Sequence, residues 1–416
     1  MSSDTLTRHI IIVGGGIVGC TTAYYLCSHP AFASSATKVT LIEASARGVA
    51  QGASGKAGGL VAKWAYPKEL VNVSFPEHVR LAQEHNGAHR WGWRFVGCGS
   101  WEGRGGSVGQ DAGTGVGAGG QRRSLEKTNG LDDGWNKKKR AESGLPDDLT
   151  WVNAEQTDAY SPMAPAGATA QVHPYLFTTS MLALAQERGL QFVRGKVTEI
   201  DVDGEKKQVR GVRYSDSGES HNLAATHVIL AAGAWTPKIL PSVPISGTRA
   251  HSITIRPQPG ITISPYVLFT EIAFNSSAAK GRAPQQVSPE IYARPDNEVY
   301  CCGPGDNSPV PETVDDVLVD DAACESIRTH IASISTELRE GTVDKRQACF
   351  LPVVSAGGGP IVGEVSTVAK GLIIATGHTC WGICNAPGTA KAISELIMEG
   401  KIKCANLKTL HPGLYI

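Results

Sequence analysis

Residues 9–19 read HIIIVGGGIVG, and Glu43 follows a second apolar stretch, Lys38 to Ile42. His9 to Val13 predicts a short strand and Gly14 to Gly19 a glycine turn. Ile17 to Ser28, with apolar residues at Ile17, Val18, Ala23, Tyr24 and Leu26, predicts a helix. Lys38 to Ile42 is β-branched and predicts a second strand. Strand, helix and strand in this order form a βαβ unit, which implies a parallel sheet. The whole chain is expected to be α/β, a Rossmann-like domain carrying an inserted antiparallel sheet.

Gly14, Gly16 and Gly19 have the spacing G-x-G-x-x-G between that strand and that helix. The first glycine permits the tight turn. The second lets a pyrophosphate approach the backbone, and the third lets helix and strand pack closely. The helix start, with Ile17 and Val18, turns its positive end toward the phosphates. Glu43, followed by Ala44, stands where a carboxylate can accept both ribose hydroxyls of an adenosine and repel a 2′-phosphate. A surface glutamate at a strand end is the weaker reading. A second glycine-rich segment, GASGKAGGL at residues 52–60, contains Ser54, Gly55, Lys56, Ala57, Gly58, Gly59 and Leu60. Its small side chains and free N–H groups suit a pyrophosphate and a flavin edge, favouring FAD over NAD. A flexible loop is the plainer alternative.

The 416 residues suggest two domains, and hydrophobic residues make up 41%. A net charge of zero calls for neither nucleic acid nor an anionic membrane. No apolar run reaches the roughly 18 residues of a membrane span. Polar residues from Met1 onward predict no secretory leader, and ten cysteines then predict a reduced, cytoplasmic set. Cys380 and Cys384 are spaced CxxxC, which disfavours a redox pair. No metal site is expected.

Gly97 to Gly120 is glycine-rich, and Arg122, Arg123 and Lys137-Lys138-Lys139-Arg140 make the following stretch basic. It reads as an inserted surface loop, largely disordered. Further on, Pro174 to Gly189 and Asp321 to Ser335 predict helices. Gln191 to Asp203 and Val209 to Tyr214 predict a hairpin, and His227 to Leu230 a buried strand. Arg249 to Ile255, Tyr266 to Phe274 and Ile291 to Cys301 alternate as antiparallel strands. Gly371 to Ala375 predicts a last parallel strand and Pro387 to Glu399 a last helix closed by Gly400. The expected division is an FAD-binding domain from 1–75, 151–245 and 340–416, a substrate domain from 76–96 and 246–339, and an insert at 97–150.

These segments together resemble the superfamily of D-amino-acid oxidase, glycine oxidase and sarcosine oxidase, and the fungal FAD-dependent oxidoreductases within it. The matching stretches are IIIVGGGIVG with Glu43, ASGKAGGL, His173-Pro174, VILAAGAWTP, GTRAHS from Gly247, IYARPDNEVYCCG at 291–303, GPIVGEV at 359–365 and IIATGHTCWGICNAPGTAK at 373–391. The resemblance spans nearly the whole chain outside residues 97–149. It implies that Val197 meets the adenine through its backbone and that Ala232, Gly233 and Trp235 lie beside the pyrophosphate and ribityl chain. Gly377, His378, Cys380, Trp381, Gly382 and Ile383 match the loop facing the flavin edge, where a helix dipole favours developing negative charge. The 291–303 stretch resembles strands that roof the substrate.

The implied activity is oxidation of a C–N bond in an amine or amino acid by hydride transfer to the flavin, with dioxygen as the usual acceptor. The substrate is then a small molecule. Two departures bear on it. Leu351 stands where many relatives carry an arginine that pairs with a substrate carboxylate. Lys63 resembles a basic position near the flavin in sarcosine oxidases that could supply that missing charge, a reading that competes with a surface lysine, and the second departure is a cysteine. Cys349 falls near the cysteine that carries covalent flavin in the sarcosine-oxidase branch, against the favoured reading of a core cysteine. His378 could titrate near neutrality, and with Lys63 and Trp381 completes the candidate catalytic set. A dehydrogenase using another acceptor and a flavin-loaded binding or trafficking factor remain alternatives, with an NAD-linked enzyme weaker.

Overall fold

The computed structural model describes residues 8–106, 140–274 and 285–416. The glycine turn leaves a six-stranded sheet ordered Ile361–Glu364, Leu372–Thr376, His227–Leu230, Arg8–Val13, Thr37–Glu43 and Gln191–Arg194. All neighbours are parallel except the first pair. Arg8–Val13 is central and covered on both faces. Ile10 and Ile12 join the core on one side, while Ile11 and Val13 join the core on the other. That is why the strand is a continuous apolar run rather than an alternating one. Each such buried side chain contributes roughly 1.5–3 kcal/mol.

The longer helices are α1 (Ile17–Cys27), α2 (Lys68–Glu84), α3 (Pro174–Gln186), α4 (Asp321–Ala332) and α5 (Gly382–Glu399). Helix α1 packs on α5 and α3 along one face of the parallel sheet. An antiparallel ribbon of Lys196–Asp203, Gln208–Asp216 and Glu219–Ala224 covers the other face. An eight-stranded sheet lies beside this unit. Its main path runs Thr342–Val354, Ile245–Arg256, Val299–Asp306, Glu290–Ala293, Tyr266–Phe274, Gly97–Arg104 and Thr157–Pro162. Helix α4 packs on it, placing Cys324, Ile327 and Ile331 in its core. The α/β class with parallel and antiparallel sheets is thus as expected.

Several boundaries differ from the sequence reading. Residues 97–104 form a strand paired in parallel with Tyr266–Phe274, with Trp101 fully buried, although the segment reads as insert. Leu145 and Leu149 also enter the core of this sheet. Glycine content hid both. Within 97–150, the glycine-rich and basic residues 107–139 lie outside the described residues. Helix α2 packs across α5 rather than on the antiparallel sheet, so residues 76–84 side with the parallel-sheet unit. The single strand expected over 191–203 breaks at Gly195 and changes sheets, and a side chain at that break would lie 2.5 Å from the Tyr214 ring, which explains the glycine. The strand expected over 291–301 is two strands joined by a turn at Pro295–Asn297.

Candidate functional site

The carboxyl ends of the parallel strands open into a cleft between the two units, where ligands collect in such sheets. Its volume of about 520 Å³ falls within the roughly 300–1,000 Å³ of small-molecule sites. Gly14, Gly16, Ile17 and Val18 line one stretch of wall. Gly14 has φ +110°, and a Cβ there would lie 2.6 Å from the Ala231 carbonyl oxygen. The Ile17 N–H donates to Ser54 Oγ at 2.8 Å, which ties the second glycine segment to the start of α1. Glu43 accepts from the Gly15 and Ser45 N–H groups at 2.6 and 2.7 Å. Burial pushes its carboxyl up, against the pull of these two bonds.

Ala44, Val197, Lys196, Lys238 and a strap of Glu312, Thr313 and Val314 surround the Glu43 end. Lys196 and Lys238 both donate to Glu312, and Asp315 accepts from Ser45 and Arg47. The middle is walled by Ser54, Lys56, Ala57, Gly58, Gly59 and Leu60 on one side and by Ala232, Gly233 and Trp235 on the other. A Cβ on Gly58 would lie 2.7 Å from the Tyr292 ring, so only glycine lets that ring close over the segment.

The far end holds Cys349, Leu351, His378, Cys380, Trp381, Gly382 and Ile383. Trp381 caps the start of α5, and its indole Nε1 is buried with no partner among the described residues. His378 Nε2 lies 3.0 Å from Thr389 Oγ1, and burial pushes the imidazole down to about 4. It is therefore neutral near pH 7, which corrects the expectation of titration near neutrality. Burial pushes the Cys349 thiol up to about 11, with Lys56 opposing. Above this end stand Phe269, Glu290, Tyr292, Tyr300 and Cys302 of the antiparallel sheet.

A match to the family described as DAO, FAD dependent oxidoreductase, runs over residues 9–396. The chain belongs to this family. As a DAO-family enzyme it uses FAD and is an oxidoreductase. It is 33% identical to the protein TDA3 of Saccharomyces cerevisiae, covering 98% of this chain and 95% of that relative. Among solved structures it is similar in fold to glycine oxidase from Bacillus cereus, with TM-score 0.68, 18% identity and coverage of 97% and 98% of the two chains. It is similar also to L-proline dehydrogenase from P. horikoshii, with TM-score 0.66, 16% identity and coverage of 96% and 95%.

The cleft fits FAD on two observations. Gly16 and Gly233 line its wall, and a Cβ on Gly233 would meet nothing within 4 Å while one on Gly16 would meet only Ser54 Oγ, so both open toward the cleft and leave the backbone bare for close approach of a long dinucleotide. The unpartnered Trp381 N–H supplies a donor at the end where the acceptor-rich flavin would lie.

Four sequence-predicted residues do not line this DAO-family cleft. Gly19 and Gly55 face backbone instead: a Cβ would lie 2.0 Å from Gly14 O and 1.9 Å from Ala50 O. Gly377 faces the Val354 side chain at 2.6 Å. All three shape the wall from behind. Lys63 is exposed, with its ammonium 5.0 Å from the Phe75 ring centroid, and is not brought to the Trp381 end of the cleft. Sequence reasoning missed the 312–314 strap and the individual roof residues. Their signals were present: a Thr313-to-Asp316 capping box, and period-two spacing of Glu290 with Tyr292 and of Tyr300 with Cys302.

Proposed function

We propose that the chain oxidises a C–N bond of an amine or amino acid, with dioxygen as acceptor. One observation carries this reading: the aromatic roof with Glu290 faces the same cleft as the start of α5, so a small molecule held by the roof lies at the flavin end. FAD, when bound, accepts a hydride from the carbon next to nitrogen. The chain supplies binding, orientation and exclusion of water. Gly14, Gly16, Ile17, Val18 and the segment Ser54 to Leu60 would hold the pyrophosphate and the neighbouring flavin edge. Glu43 and Ala44 would hold the adenosine ribose, and Val197 the adenine. Ala232, Gly233 and Trp235 would flank the ribityl chain. The α5 terminus at Gly382 and Ile383, with His378, Cys380 and Trp381, would favour negative charge on the reduced ring.

Glycine oxidase and L-proline dehydrogenase are named for amino acids, which supports the substrate class. The two names also divide over oxidase and dehydrogenase, so an acceptor other than dioxygen is the second reading. A cytoplasmic location belongs to the same proposal and is supported by ten cysteines, all unpaired. The experiment is to mix purified yellow holoenzyme anaerobically with a panel of amines and amino acids and follow the flavin band. Bleaching, followed by peroxide on admitting air, is expected. Bleaching without peroxide selects the dehydrogenase, and no bleaching by any compound overturns C–N oxidation.

A further inference from the structure

We propose that Glu290 is a cation-binding group of the roof, so that the substrate presents a positive charge, and no carboxylate, to this wall. The inference rests on the C–N reading above and narrows it from amines and amino acids to cationic amines. Phe269, Glu290 and Cys302 are direct cross-strand partners on three adjacent strands. Direct partners share one face of a sheet, and all three line the cleft. Tyr292, two residues along, lines it as well.

The bonding of Glu290 leaves it available. Tyr292 Oη donates to Oε2, and Cys302 Sγ lies 3.7 Å from the same oxygen. Among the described residues no donor reaches Oε1, and no ion pair involves Glu290. The groups that feel its charge most are the Cys98, Cys302 and Cys380 thiols and the Tyr292 phenol, none of them a cation. A half-buried carboxylate with one oxygen unbonded gains most from a cation that meets it.

The cleft offers an anion little in return. Position 351 is leucine. Of the lysines lining the cleft, Lys56 donates to the Ala348 carbonyl, and Lys196 and Lys238 are held by Glu312. Around Glu290 the wall is aromatic, with Trp64 packed behind it. Phe269 lies 6.4 Å from Tyr292, Tyr292 lies 5.6 Å from Tyr300, and Trp64 bridges Phe269 and Trp381 at 6.1 and 5.6 Å. Ring faces attract ammonium groups and do nothing for carboxylates. Charge and wall therefore select the same ligand sign.

Benzyltrimethylammonium, which carries a fixed charge and has no nitrogen lone pair with which to form an imine, is titrated into wild-type holoenzyme beside benzoate. Perturbation of the flavin band gives both dissociation constants without turnover. The cation should bind at least ten-fold more tightly than benzoate, and Glu290→Gln should weaken it by roughly ten-fold or more. Equal or tighter binding of benzoate, no saturable cation binding, or an unchanged cation affinity in a well-folded Glu290→Gln overturns the assignment. The wild-type comparison decides alone if the variant fails to fold. The two readings fail differently. If C–N oxidation is wrong, the cation still binds but no amine bleaches the flavin. If the Glu290 assignment is wrong, amino acids bleach it and benzoate is the tighter ligand.

Discussion

At the scale of single residues, charge and small size were legible, but direction was not. Glu43 and the Gly14, Gly16 pair could be assigned to the cleft because their spacing follows from the turn itself. Lys63 could not be placed, since a three-residue strand at Leu60–Ala62 precedes it and nothing in the sequence says how the chain leaves that strand. The chain turns so that its ammonium lies over Phe75 in solvent. Lys63→Ala should accordingly leave kcat/KM for the best amine within about two-fold, a loss of less than about 0.5 kcal/mol of transition-state stabilisation. A hundred-fold loss in steady-state assays would return Lys63 to the reacting centre.

At the scale of elements, the last helix shows how a local rule misplaces a boundary. A proline favours the first turn, so Pro387 reads as a helix start. The helix instead begins at Gly382 and carries Pro387 inside it. Proline lacks the N–H that would reach the carbonyl four residues back, Ile383. His78 of α2 supplies the donor, with Nε2 at 3.0 Å from Ile383 O and 3.1 Å from Cys384 O. Burial pushes His78 down to about 4. Gly388 lets the two helices approach, since a Cβ there would lie 2.7 Å from Leu70 O. The contact thus steadies the turn that carries Ile383 to the cleft. His78→Leu, similar in bulk but without a donor, should cost about 1–3 kcal/mol in urea unfolding of the holoenzyme. It should also speed flavin loss. An unchanged midpoint would mean that water replaces the donor.

At the scale of the whole molecule, one buried ion pair in the roof holds the arginine that reaches the floor. Arg294 and Glu298 are 3% and 1% exposed and meet at 2.7 Å. Arg294 also donates to the Ala57 carbonyl in the second glycine segment. Burial raises the Glu298 carboxyl, but Arg294 and Lys345 outweigh it and hold it below the ordinary range. Glu298→Gln leaves Arg294 buried without its counter-ion and should cost about 3–5 kcal/mol by thermal unfolding. A midpoint within error of wild type would show that the pair contributes nothing to docking of the two units. Buried histidines set a second global property. His78 and His378 are each held down to about 4, below the ordinary value of 6.5. The unfolded chain therefore takes up protons first as pH falls. Their contribution is fully present above about pH 6.5 and is lost progressively toward pH 4. Melting temperature, followed by flavin release, should decline across that window, and His378→Gln should flatten part of the slope. A profile unchanged by the substitution would exclude His378 as a contributor.

The sequence by itself determined the βαβ start, the glycine turn, the acid at the second strand end, the second glycine segment and the α/β class. Each depends on contacts within a short stretch of chain, where spacing and residue type are enough. Tertiary structure alone decided that 97–104 is a strand, that α2 belongs with α5, that the chain changes sheets at Gly195, and that Glu290 stands in the roof opposite the start of α5. Strands at 266–274, 290–293 and 299–306 meet the segment at 58 and the helix at 382 only once the antiparallel sheet has closed over the parallel one. No local propensity encodes that meeting; it follows from burial of two separate cores against each other.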